Sequence, residues 1–198
     1  MSEHAEDQII RTLVADPPWY QVGGGKSKRG SDRHYPLMKT PNILALMCHW
    51  QSQLNLARSA HFYLWHTNSG HGCVKDAISV GESMGWNYQH EIHWIKTTKS
   101  GGLQTGMGWY SRMNCESMSF FTRGKGLDTS VWQGRGTVPL QSFMSPRLSH
   151  SEKPLASYVN VEKRSKGPYC YFFSRHTRPG WIMFGNESGK LGDIKKRA

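Results

Sequence analysis

The sequence predicts an α/β fold, with an open, mostly parallel sheet and helices on both of its faces. Two observations predict it. Short apolar runs rich in β-branched and aromatic residues alternate with segments whose apolar residues recur at helical spacing. Glycine, proline or charge marks the junctions between them. The 198 residues suit one domain with a shared core over about residues 9–188 and short flexible termini.

The run from Ile9 to Ala15, stopped by two prolines, reads as a buried strand opening into a loop at Asp16. Thr40-Pro41 resembles an N-cap and first helical position. Ile43, Met47, Trp50, Leu54 and Ala57 then share one face, predicting a helix over about 41–57. Phe62 to Trp65 reads as a strand, and Val74, Ala77, Ile78, Gly81 and Met84 mark a second helix ending near Gly85. Further strands are expected at 88–95, 117–122, 169–173 and 181–184, about six in all, with a helix over 154–165 ahead of the last two. Open parallel sheets bind ligands beyond the carboxyl ends of their strands, where Asp16 and Arg175 both fall.

Lys and Arg number 25 against 14 Asp and Glu, a formal charge of +11, which favours a polyanionic partner over an acidic or neutral small molecule. Cys48, Cys73, Cys115 and Cys170 form no Cys-x-x-Cys pair, so they read as reduced thiols rather than a disulfide framework or zinc site. The histidines include no metal-binding pair at helical spacing, and no metal requirement is expected. No apolar run reaches the ~20 residues of a membrane span, and the acidic amino terminus is unlike a signal peptide. A cytoplasmic protein without membrane contact is expected.

The sharpest feature is Asp16-Pro17-Pro18-Trp19, an anion, a rigid kink and a large aromatic ring directly after a strand. The exocyclic amine of a purine is a weak nucleophile because its lone pair is delocalised into the ring. Transfer to it requires groups that stabilise positive charge developing on nitrogen. Asp16 can accept one amine hydrogen and the Pro17 carbonyl the other, while Pro18 holds the preceding residue extended. Trp19 is expected to stack on the base, worth about 1–3 kcal/mol. The plainer alternative is that the prolines only end a strand and Trp19 is buried.

Further ordered blocks accompany this tetrapeptide: His34-Tyr35-Pro36, Trp94-Ile95-Lys96, Gly106 to Arg112 with Glu116, Thr122 to Lys125, His150 to Pro154, Phe173-Ser174-Arg175, Thr177 to Trp181 and Gly185-Asn186-Glu187. Together, over about 13–187, they resemble the adenine-N6 methyltransferase family that includes the catalytic subunit of the messenger-RNA adenosine methylase and smaller bacterial and phage enzymes. The resemblance implies a Rossmann-like fold in permuted order, catalytic motif before cofactor motif, using S-adenosylmethionine to methylate the N6 amine of adenine. It implies catalytic roles for Asp16, Pro17, Pro18, Trp19, Glu116 and Lys153. It places Asp16, Lys153, Arg175, His176, Asn186 and Glu187 at the cofactor.

Two basic, glycine-rich segments are expected to face nucleic acid. Lys26, Lys28, Arg29, Arg33, Lys99 and Arg112 would contact phosphates, and Tyr35 would gate the pocket. The small free-standing relatives favour DNA over RNA and a bacterial or phage-infected cell, and a homodimer or partner subunit is compatible with the family. The rival reading is a silent nucleic-acid-binding subunit, against which the intact Asp-Pro-Pro-Trp stands. A methylase of protein amides is disfavoured by the basic charge. His66 stands where many relatives carry an apolar residue, with no reason evident in the sequence.

Overall fold

The computed structural model describes residues 8–20, 36–68, 70, 72–106, 110–127, 139–149 and 152–185. Its elements run β1 (Ile10–Ala15), α1 (Thr40–Ser52), β2 (Leu56–His66), α2 (Val74–Ser83), β3 (Asn87–Thr97), β4 (Cys115–Arg123), β5 (Ser142–Pro146), α3 (Leu155–Arg164), β6 (Tyr169–Phe172) and β7 (Trp181–Phe184). They form one seven-stranded sheet in the order β5-β3-β4-β2-β1-β6-β7. Every strand pairing is parallel except those of β4, which runs antiparallel to both β2 and β3.

Helices cover both faces, as the alternation of strands and helices predicts. On one face α1 and α2 bury Ile43, Met47, Ala77 and Val80 against Leu13, Ala15, Phe62, Leu64, Phe121 and Phe172. On the other, Tyr158 and Val161 of α3 pack on Val14, Tyr63, Trp65, Trp94, Met118, Tyr171 and Trp181. The period-two alternation of β1 between the two clusters is what a doubly covered strand requires. A register shift between Ile10 and Thr12 lets Ile10 join Leu13 and Ala15 on the α1 side.

Three expectations change. The first helix ends at Ser52 rather than Ala57, because β2 starts at Leu56; Leu54 and Ala57 pack against the core from the turn and the strand. β2 therefore begins well before the apolar run that announces it. β5 is a seventh strand at the sheet edge beside β3, and its Ser-Phe-Met-Ser-Pro sequence lacks β-branched residues. Proline is tolerated at its end because an edge strand has one side without partners. No helix among the described residues is long and apolar enough to cross a membrane.

Candidate active site

The carboxyl ends of β1, β2, β3, β6 and β7 lie at one end of the sheet. Because β4 runs the other way, its first residues join them: Glu116 pairs with Trp94 and Cys115 with Ile95 near the end of β3. This reversal brings a residue a hundred positions downstream of Asp16 to the same end of the sheet.

Asp16 is held one residue beyond β1, where its backbone N–H donates to the Phe172 carbonyl at 3.1 Å and so extends the pairing with β6. Pro17 and Pro18 then turn the chain. The Trp19 N–H donates to the Pro17 carbonyl at 2.8 Å, and the Met38 N–H donates to that of Pro18 at 2.8 Å. The Asp-Pro-Pro-Trp segment is thus fixed at both ends by backbone bonds.

Trp19 turns inward, and this corrects the expectation that it stacks on a base. Its ring is only 4% exposed within the α1–α2 cluster, and its Nε1 donates to the Trp65 carbonyl at 2.8 Å. An indole enclosed in this way has no open face for a nucleobase. Burying so large an apolar ring stabilises the turn that carries Asp16. Gly72 backs onto it so closely that a Cβ there would stand 2.4 Å from the Trp19 Cβ.

Beside Asp16 stands a chain of alternating charges. Lys153 Nζ lies 2.9 Å from Asp16 Oδ2 and 3.2 Å from Glu116 Oε2, and Lys96 Nζ lies 2.6 Å from Glu116 Oε1. The Lys153 ammonium also sits over the Trp65 ring, 4.9 Å from its centroid, and that of Lys96 over the Trp94 ring at 5.2 Å. Burial pushes the Asp16 carboxyl above its ordinary range, with Lys153 and Arg175 pulling the other way. Burial also opposes ionisation of Glu116, but two flanking ammonium groups overcome it and hold Glu116 down at about 2. Two neighbouring carboxyls are thereby driven apart, Glu116 a fixed anion and Asp16 the one nearer to taking a proton.

Of the other residues singled out in the sequence, Arg175 and His176 follow β6 at this same end. His176 is buried, with Nε2 3.5 Å from Glu152 Oε1. Lys99 and Arg112 are exposed on the segments that leave β3 and enter β4, at the rim of this end of the sheet. Lys26, Lys28, Arg29, Arg33, Tyr35, Asn186 and Glu187 lie outside the described residues.

Sequence alone gives Lys96 no role, although a lysine alternating with Trp94 at the end of a strand is the available signal. Buried Tyr158 and Tyr171 lie near enough for the Asp16 charge to raise both hydroxyls further than burial already does. Arg178 instead joins Trp181 in gripping Glu162, which ties α3 to β7 and makes it structural. Among the described residues no group of three or more His, Cys, Asp and Glu side chains is placed to hold a metal ion.

The MT-A70 family, that of the messenger-RNA N6-adenosine methyltransferase catalytic subunit and its relatives, matches residues 10–187. No curated protein gives a match to the chain.

Proposed function

The chain belongs to the MT-A70 family, and on that premise we propose that it methylates the exocyclic N6 amine of adenine in nucleic acid, DNA being the favoured polymer. The observation that carries the reading is the Asp16–Lys153–Glu116–Lys96 charge chain beside the Asp-Pro-Pro-Trp turn.

The donor set fits S-adenosylmethionine, the family's methyl donor. A zwitterionic amino acid joined to a nucleoside needs an anion and cations close together. Asp16 and Lys153 stand 2.9 Å apart, and Arg175 is near enough to act on the Asp16 charge. Lys153, Arg175 and His176 hold the cofactor, joined by Asn186 and Glu187 on the strength of the family resemblance. When bound, the cofactor supplies an electrophilic methyl group.

The chain's own residues present the amine. Lys153 occupies Asp16 Oδ2, which orients the carboxylate so that Oδ1 accepts one amine hydrogen. The Pro17 carbonyl accepts the other; it already receives the Trp19 N–H, but a carbonyl has two lone pairs. Both acceptors stabilise positive charge as it develops on nitrogen. Asp16, whose carboxyl burial pushes upward, then takes the proton the amine must release. Glu116 stays ionised and keeps Lys153 and Lys96 in place. Trp19 acts from below by fixing the turn, while Lys99 and Arg112 at the rim meet phosphates.

The test is transfer of labelled methyl from S-adenosylmethionine to matched DNA and RNA pools, with nucleoside analysis of the product and Asp16→Ala as control. Label in N6-methyladenine from one pool, lost in the variant, is the expected result and identifies the polymer. No transfer to either pool by folded protein would replace this reading with that of a silent subunit.

A further inference from the structure

At the opposite end of the sheet from Asp16, the amino end of its parallel strands, lies an open cleft of about 510 Å³ lined by Arg11, Ser59, Lys125, Gly126, Leu127 and Lys166. Three of the six carry positive charge and none is acidic. We propose that this cleft binds a phosphate group.

The three cations come from three separate segments, and each segment is fixed. Arg11 is the second residue of β1, and its N–H and that of Thr12 both donate to the Pro168 carbonyl, at 3.0 and 3.2 Å. The Lys166 carbonyl accepts the Thr12 hydroxyl at 2.7 Å. Lys125 sits in the turn after β4 between Gly124 and Gly126, both at left-handed φ, where a Cβ on Gly124 would stand 2.4 Å from the Arg58 carbonyl.

Beneath the cleft runs a buried polar network whose ends are the two lysine-bearing turns. The Leu127 N–H donates to His61 Nε2 at 3.0 Å, so the proton of the neutral ring is on Nδ1, which donates to Ser165 Oγ at 2.7 Å. Burial and the nearby Arg164 hold His61 at about 4, so at neutral pH the ring keeps this donor pattern. Ser165 Oγ also bonds the Tyr63 hydroxyl, and the Ser165 carbonyl accepts that of Tyr169 at 2.9 Å. Polar groups are expensive to bury, and a satisfied network of them rigidifies what it touches. Here it fixes Leu127, itself a lining residue, and Ser165, the immediate neighbour of Lys166. Three cationic residues lining one cleft of preset backbone suit a compact polyanion that accepts hydrogen bonds from several directions.

The phosphate can belong to the backbone of the nucleic acid or to a free phosphate species, and the experiment separates the two. The full chain and an Arg11→Gln/Lys125→Gln/Lys166→Gln variant, all three sites being exposed, are titrated with inorganic phosphate by calorimetry. Both are then titrated with a DNA duplex and an RNA strand across a salt series. Saturable phosphate binding that falls at least tenfold in the variant is expected. If the salt slope of nucleic-acid binding also falls by about one for each lost phosphate contact, the backbone is the source. If phosphate binding falls and the slope stays, the ligand is a free phosphate or small phosphate ester. Equal phosphate binding by both proteins, or none by the wild type, overturns the proposal. The phosphate titration does not depend on methyl transfer, so its failure is distinct from failure of the methyltransferase reading.

Discussion

Lys153 bonds Asp16 Oδ2 at 2.9 Å from a seat over the Trp65 ring, and the Trp65 carbonyl holds the indole of Trp19. One strand end therefore supports both the cation that orients the proposed catalytic carboxylate and the ring that anchors its turn. Lys153→Met should lower methyl transfer by about 10²-fold or more at neutral pH, the scale of losing one preorganised charge contact. It should also displace the pH profile. Lys153 holds the Asp16 carboxyl down against burial, so without it the carboxyl protonates at higher pH and the acidic limb of kcat/KM moves upward. An acidic limb in the same place as in wild type would show that Lys153 does not act through Asp16.

Asp16 illustrates a conflict between function and stability. Its carboxyl lies above the ordinary value of 3.8, so the folded state binds that proton more tightly than the unfolded one. The ionised form then costs stability, progressively as pH rises through the interval between the two values and fully above it. Asp16→Asn removes the charge. Its Tm at pH 8 should be no lower than that of wild type, and any advantage should shrink as pH falls below 3.8. Methyl transfer should be lost throughout. Thermal melts at both pH values check this, and a Tm several degrees lower at pH 8 would mean the Lys153 pair outweighs burial.

Strong local patterns made much of this fold legible. The β-branched run before Asp16, the Thr40-Pro41 helix start and the apolar blocks of β6 and β7 place their elements to within a residue or two of where they lie. β5 was missed because its pairing with β3, not its composition, makes it a strand. The overrun of α1 has the same root, since Leu54 and Ala57 continue a helical spacing that pairing at Leu56 overrides. At the site, ordered motifs named Asp16, Glu116 and Lys153, but the fate of Trp19 depended on which way two prolines turn the chain. Composition alone does not encode that direction.

His66 now has a physical account. Its side chain is 2% exposed, with Nε2 2.6 Å from Glu91 Oε2 of β3, and Ser119 of β4, the strand between β2 and β3, donates to Glu91 Oε1 at 2.7 Å. A hydrogen-bonded pair is one solution to a buried position that an apolar side chain could also fill. Glu91→Ala should therefore cost about 2–3 kcal/mol by leaving buried groups without their acceptor, whereas His66→Phe/Glu91→Leu should recover most of the loss. Although burial opposes it, the bonds from His66 and Ser119 hold Glu91 below its ordinary 4.5. Its contribution is thus present above that pH and fades below it, and the gap between wild type and Glu91→Ala should close on acidification. Urea denaturation of wild type and the two variants measures both effects; a double variant no better than the single one would mean the His66–Glu91 pair itself is required.

The sharpest test of the buried Trp19 is a methyl group placed against it. Gly72 has φ +69°, and a Cβ there would lie 2.4 Å from Trp19 Cβ and 2.6 Å from Cγ; Gly85 has φ +84° but nothing within 4 Å of its Cβ. Both alanine substitutions incur the left-handed backbone cost of about 1–2 kcal/mol, but only Gly72→Ala must also push the indole. Because Trp19, Pro18 and Asp16 share one stiff turn, that displacement reaches the amine acceptors, where misplacement by about 1 Å can cost 10²-fold in rate. Gly85→Ala should lower Tm by several degrees with methyl transfer intact. Gly72→Ala should cut transfer at least about tenfold, mainly in kcat, since Trp19 is not a base-stacking surface. A Gly72→Ala protein that weakened nucleic-acid binding while sparing kcat would restore Trp19 as a contact to the base.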